Sequence, residues 1–146
     1  MNETIITFNY PHSLIKKYNK WVVLLRPKQV TLGSLILAYI PDVENLSEVS
    51  DDGFLEFGSI VKDIEKVLKE LFQYDKINYL ALMMVDKNVH LHIIPRYAAS
   101  QTYLYKSYED KGWPGIPDLS YSTFLNEEEQ RLLLEKIKYN FDLLNL

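Results

Sequence analysis

The stretch that most constrains this chain is Asn88-Val89-His90-Leu91-His92-Ile93-Ile94-Pro95-Arg96-Tyr97. Its side chains alternate with period two, the signature of a β-strand, so Val89, Leu91 and Ile93 share one face while Asn88, His90, His92 and Ile94 share the other. At about 3.3 Å of rise per residue, the two imidazoles stand roughly 6–7 Å apart on one side of a sheet. A single histidine on an apolar face is ordinarily a satisfied structural residue. Two in phase, preceded in phase by an asparagine, form a polar row, although a half-buried strand with incidental polar residues produces the same pattern. The chain has three histidines, and the third, His12, has no neighbour in sequence that suggests a site.

Asn88-Val89-His90-Leu91-His92-Ile93-Ile94 resembles the motif of the histidine-triad (HIT) family of nucleotide hydrolases and transferases, His-φ-His-φ-His-φ-φ with φ apolar. The Pro95-Arg96 that follows is also common there. Asn88 replaces the first histidine. Trp21-Val22-Val23-Leu24-Leu25-Arg26-Pro27 and Thr31-Leu32-Gly33-Ser34-Leu35-Ile36-Leu37 resemble the two strands that flank the family's substrate pocket. The likeness runs over residues 15–97, and the chain beyond residue 97 carries nothing diagnostic.

What the resemblance implies is phosphoryl chemistry. In the family the middle histidine attacks phosphorus to give a nucleotidyl-histidine intermediate, while the outer two orient it and bind phosphate. Carried over by position, His90 is the nucleophile, His92 donates to a phosphate oxygen, and Asn88 takes the place of the orienting histidine. Imidazole suits either task because its pKa near 6.5 allows a neutral nucleophile or a cationic donor. Asparagine offers a donor and an acceptor but never a positive charge. The implied function is hydrolysis or nucleotidyl transfer at a nucleoside phosphate bond, for instance in a dinucleoside polyphosphate such as Ap4A, with a purine nucleotide as substrate and no cofactor. Two alternatives stay open: a nucleotide-binding protein with little or no turnover, and a metal-dependent enzyme using His90 and His92 as a His-x-His pair, which lacks a further histidine in plausible sequence context and would draw carboxylate ligands from Asp86 or elsewhere. Arg26 and Gly33 are candidate nucleotide contacts. Arg26 ends a strand, where an exposed arginine is equally ordinary, and Gly33 marks either a close backbone approach or a bulge. The family also implies a homodimer, for which the tyrosine-rich segment 97–121 with Trp113 offers a surface.

Composition removes whole classes of function. With no cysteine in the chain, disulfides, thiolate catalysis and cysteine-ligated zinc are excluded. A net charge of −4 argues against coating nucleic acid by bulk electrostatics. No apolar run reaches the 18 or so residues of a membrane span, and the N-terminus lacks the pattern of a signal peptide. A cytoplasmic protein is expected.

The expected fold is a single HIT-like α+β domain over residues 1–146: an antiparallel sheet of about five strands, a long helix after the second strand, and a C-terminal helix, with the helices on one face. Pro11-His12-Ser13 reads as a turn. Residues 20–26 and 31–40 read as strands joined through Pro27–Val30. Ser50 caps a helix whose first turn holds Asp51 and Asp52, and Phe54, Phe57, Val61, Ile64, Leu68 and Leu71 form its apolar stripe. That helix is expected to be structural. Residues 77–85 read as a central strand buried on both faces, joined to the motif strand by a tight Asp86-Lys87 link. Tyr103-Leu104-Tyr105 reads as a short edge strand. Asn126 and Glu129 form a capping box, ahead of a helix that buries Leu133, Ile137, Phe141 and Leu144.

Overall fold

The computed structural model describes residues 1–146. In chain order the elements are helix α1 (Glu3–Thr7), strands β1 (Leu14–Lys17), β2 (Trp21–Leu25) and β3 (Leu35–Tyr39), helix α2 (Asp51–Phe72), strands β4 (Lys76–Leu80), β5 (His90–Arg96), β6 (Gln101–Tyr103) and β7 (Lys106–Tyr108), and helix α3 (Glu127–Leu143). Five strands form one antiparallel sheet in the order β1-β2-β3-β5-β4, and β6 and β7 make a separate hairpin. This is the expected α+β architecture, with the histidine strand β5 at an interior position.

Alternation along β5 divides the molecule. Leu91 and Ile93 join Val23, Leu25, Leu35, Leu37 and the inner faces of α2 and α3 in the main core. On the opposite face Val22, Leu24, Ile36 and Ala38 pack against Ile5 of α1. The helices are therefore not all on one side: α1 covers the histidine face. Its sequence signal was Asn2, whose side chain accepts from the Ile5 amide as an N-cap, followed by the acidic Glu3.

The starts of α2 and α3 are the expected ones. The Ser50 side chain accepts from the Gly53 amide, and Asn126 and Glu129 exchange the two bonds of a capping box. The buried stripe of α2 is rotated from the expected one. It runs through Ile60, Ile64, Val67, Leu68 and Phe72, while Phe54 is exposed; the first turns meet the sheet through Gly53, whose carbonyl accepts from Trp21 Nε1, and Phe57, which packs on the Trp21 ring. On α3, Leu133, Ile137 and Phe141 are buried as expected.

Three strand expectations need correction. The 77–85 run ends as a strand at Leu80 and forms an edge, not a central strand; β4 residues are exposed or half-buried. The link to β5 is the whole of 81–89, in which Met83 adopts a positive φ of 47° and Leu82, Met84 and Val85 are exposed. An apolar run specifies burial only if something covers it, and nothing in this chain covers these three. The 31–40 strand begins at Leu35. Residues 26–34 form a loop around buried Gln29, whose amide nitrogen donates to the carbonyls of Arg26 and Ser34 and whose amide oxygen accepts from the Gly33 and Ser34 nitrogens. Finally, Leu104 and Tyr105, both at positive φ, make the turn of the β6–β7 hairpin.

Arg96, at the end of β5, fixes the segment beyond it. Its guanidinium makes a two-pronged contact with Asp110 at 2.7 and 3.1 Å and also donates to Asn78 Oδ1 and the Gly115 carbonyl, with both charged side chains nearly fully buried. A buried pair of this kind is costly to break, because the survivor is left as an uncompensated charge.

Gly33 supplies a test of the packing. Its φ is +85°, and a Cβ there would stand 2.8 Å from two ring carbons of Phe72. Gly33→Ala should therefore lower stability by about 1–3 kcal/mol, through backbone strain and overpacking together. Chemical denaturation measures this, and an unchanged midpoint would show that Phe72 moves aside freely.

Candidate active site

On β5, His90 stands opposite Ala38 of β3, and His92 stands between Ile36 of β3 and Leu80 of β4. The imidazole centroids are 5.0 Å apart with planes at 70°, closer than the strand repeat because the rings lean together. Both are buried, at 1% and 7% exposure. The Phe8 ring, just beyond α1, packs on both of them at 5.5 and 5.9 Å.

Hydrogen bonding gives the two rings opposite tautomers. His90 Nδ1 lies 2.7 Å from the backbone carbonyl of Asn88. A carbonyl only accepts, so Nδ1 carries the proton and Nε2 carries the lone pair. His92 Nδ1 instead accepts from Arg26 Nε at 3.3 Å, which leaves the His92 proton on Nε2. Burial, then the Arg26 charge, then His90 push the His92 pKa down to about 4, so this ring is neutral at pH 7. The row therefore offers one unprotonated nitrogen and one neutral N–H donor.

Arg26 is half-buried, and its second contact is Nη1 to the Lys28 carbonyl at 2.7 Å. Burial lowers its pKa while the nearby carboxylate of Asp86 opposes that shift. Its contact with Nδ1 places it beside the His92 ring. Asn88 belongs to the site differently from the expectation. Its Oδ1 accepts from the Thr4 amide at 3.3 Å, and its Nδ2 donates to Asp42 Oδ1 at 2.7 Å and to the Val43 carbonyl at 3.5 Å. Its side chain is thus engaged by α1 and the segment after β3, and what it gives His90 is its backbone carbonyl. Gly33 is not part of the row: it packs on Phe72 and Leu68 of α2, on the opposite face of the sheet, and that packing accounts for the glycine. His12 is exposed, in a separate cleft beside the first turn of α3.

Phe8, Thr4 and Asp42 carry no sequence signal that places them at the site, whereas Asp86 is there as the candidate carboxylate beside the histidines. Thr4 and Asp42 meet Asn88 across 84 and 46 residues, a separation at which no local pattern gives a signal. No group of three or more histidine, cysteine, aspartate or glutamate side chains is arranged to hold a metal ion.

The depressed pKa of His92 makes stability depend on pH in a defined direction. A histidine with a folded pKa of about 4 and an unfolded pKa near 6.5 carries no penalty above pH 6.5 and destabilises progressively as pH falls from there towards 4. The difference in unfolding free energy between the native chain and His92→Gln should shift against the native chain by up to about 3 kcal/mol over that window. Parallel denaturation curves with a constant difference would place the His92 pKa at its ordinary value.

No protein-family model and no curated protein matches the sequence. Solved structures do match. A hypothetical histidine triad nucleotide-binding protein from Sulfolobus tokodaii superposes with a TM-score of 0.75 at 21% identity, covering 97% of this chain and 91% of its own. A histidine triad protein from Marinobacter aquaeolei gives 0.75 at 21% identity over 99% and 96% of the two chains, and one from Sinorhizobium meliloti gives 0.74 at 20% over 96% and 95%. Over nearly its whole length, then, this chain has the fold of the histidine-triad proteins.

Proposed function

We propose that the protein binds a purine nucleotide with its phosphate against the His90–His92 row, and that it acts as a HIT-type hydrolase or nucleotidyl transferase on a nucleoside phosphate bond. The observation that carries this reading is the pair of complementary tautomers. His90, held at Nδ1 by the Asn88 carbonyl, presents a lone pair on Nε2, and His92, held at Nδ1 by Arg26, presents an N–H. In the step proposed, the His90 Nε2 lone pair forms a bond to phosphorus while the bond from phosphorus to the leaving-group oxygen breaks, and that oxygen departs with the electron pair. Water then cleaves the phosphorus–nitrogen bond and restores the imidazole, or a second acceptor takes the nucleotidyl group. His92 donates to a non-bridging oxygen, and Arg26 adds positive charge behind it.

Replacement of the first motif histidine by Asn88 is compatible with this scheme. The orienting bond comes from a backbone carbonyl, which every residue supplies, and His92 acts as a neutral donor. Arg26 is the only cationic side chain in contact with the pair, and the nearby carboxylate of Asp86 offsets part of its charge. That charge suits one or two phosphate groups better than the longer chain of a dinucleoside polyphosphate such as Ap4A. The open edge of β4, flanked by Trp113 and Ile116, is the surface on which a homodimer would form.

A second reading, nucleotide binding with little turnover, draws support from the burial of both imidazoles under Phe8. One experiment separates the two. Incubation with AMP esters or diadenosine polyphosphates, acid-free quenching and mass spectrometry should find a nucleotidyl group on His90. His90→Ala should lose turnover by several orders of magnitude, the scale on which other enzymes lose a covalent nucleophile. AMP binding without adduct or turnover would establish the binding module, and normal turnover by His90→Ala would refute the covalent route.

A further inference from the structure

We propose that Asn88 is a positioning residue that latches α1, and with it Phe8, over the imidazole pair as a wall that opens. Three observations meet here. The first is access: a phosphorus atom must come within about 3–3.5 Å of His90 Nε2 to be attacked, yet His90 is 1% exposed and Phe8 packs on both rings. Something over this face has to give way.

The second is how α1 is held. A five-residue helix has no stability of its own, so its order comes from its attachments. Ile5 is buried against the sheet, and Asn2 donates to the carbonyls of Tyr39 and Ile40. Phe8 packs on the same cluster and its carbonyl accepts from Ser13 Oγ, and the link to the segment ahead of His90 is a reciprocal pair: the Thr4 backbone N–H donates to Asn88 Oδ1 at 3.3 Å, and the Asn88 backbone N–H donates to Thr4 Oγ1 at 3.1 Å. Asp42 Oδ1 accepts from Asn88 Nδ2 at 2.7 Å and so fixes which end of the side chain faces Thr4. The latch is therefore built from the residue whose carbonyl orients His90.

The third is the space beside it. A cleft of about 530 Å³ separates α1 from the 81–89 loop and is lined by Thr4, Thr7, Val85, Lys87 and Asn88, so α1 has room on the side where the latch sits. Phe8 is followed by Asn9 at a positive φ of 71°, the start of the turn into β1. Opening α1 leaves the five-stranded sheet intact, since none of its strands includes residues 1–13.

The consequence for turnover rests on the proposed role of His90, but the exposure of the rings does not, and the test uses exposure. Histidines are carbethoxylated with diethyl pyrocarbonate and counted by mass spectrometry, with exposed His12 as the internal reference. Asn88→Ala and Thr4→Val should each raise the rate at His90 and His92 relative to His12 by about tenfold, the effect of one lost net hydrogen bond on an opening equilibrium. Thr4→Ser should restore the native rate. Unchanged relative rates in both variants, at native thermal stability, would overturn the latch. If a variant fails to fold, native-state amide exchange of the unaltered protein decides. The amides of residues 5–8 should exchange through an opening that leaves Val22–Leu24 protected, and equal protection of the two segments would overturn the proposal. If the latch is confirmed while no His90 adduct forms, the wall stands and the catalytic reading fails.

Discussion

The site depends on one hydrogen bond, from His90 Nδ1 to the carbonyl of Asn88, two residues back in the segment that leads into β5. It fixes the tautomer and the orientation of the ring, and it does so from the backbone. A side chain can be exchanged by mutation, whereas a carbonyl at the mouth of an interior strand is held by the sheet. β5 lies between β3 and β4, and Val89, which joins Asn88 to it, is held by backbone bonds to Tyr39 and Val43, so the carbonyl and ring share one frame. This is why the asparagine at position 88 does not disable the arrangement: the feature the ring uses there is common to all residues.

Around that bond the two faces of the sheet have separate tasks. The face under α2 and α3 holds the main apolar core and carries no part of the row. The other face holds the imidazoles in a small apolar cluster closed by α1. Burial on that side has an electrostatic effect: it keeps His92 neutral, and Arg26 reinforces the shift while contributing the charge that His92 gives up. The pair thus combines a neutral donor with a neighbouring permanent cation, a division of labour that one protonated histidine would otherwise perform alone.

What could be read from sequence was what depends on local periodicity and local chemistry. The period of two in 88–94 placed both histidines on one face, and Ser50 and Asn126 announced their helices. The failures have a common physical cause. Leu82-Met83-Met84-Val85 is apolar but uncovered, Gly33 answers to the ring of Phe72 39 residues away, and Asn88 finds Thr4 and Asp42 only after the sheet has formed. Each is decided by a tertiary neighbour, and a one-dimensional pattern holds no record of it. The polar character of the row was legible, but which atom of Asn88 serves it was not.

The tautomers of the two rings test the account most directly. A long-range proton–nitrogen correlation spectrum of ¹⁵N-histidine-labelled protein at pH 7 reads them without any ligand. The structure predicts that His90 carries its proton on Nδ1 and that His92 is neutral with its proton on Nε2. A His90 protonated on Nε2 instead, or a cationic His92, would contradict it, because the first would remove the unprotonated nitrogen and the second the neutral donor.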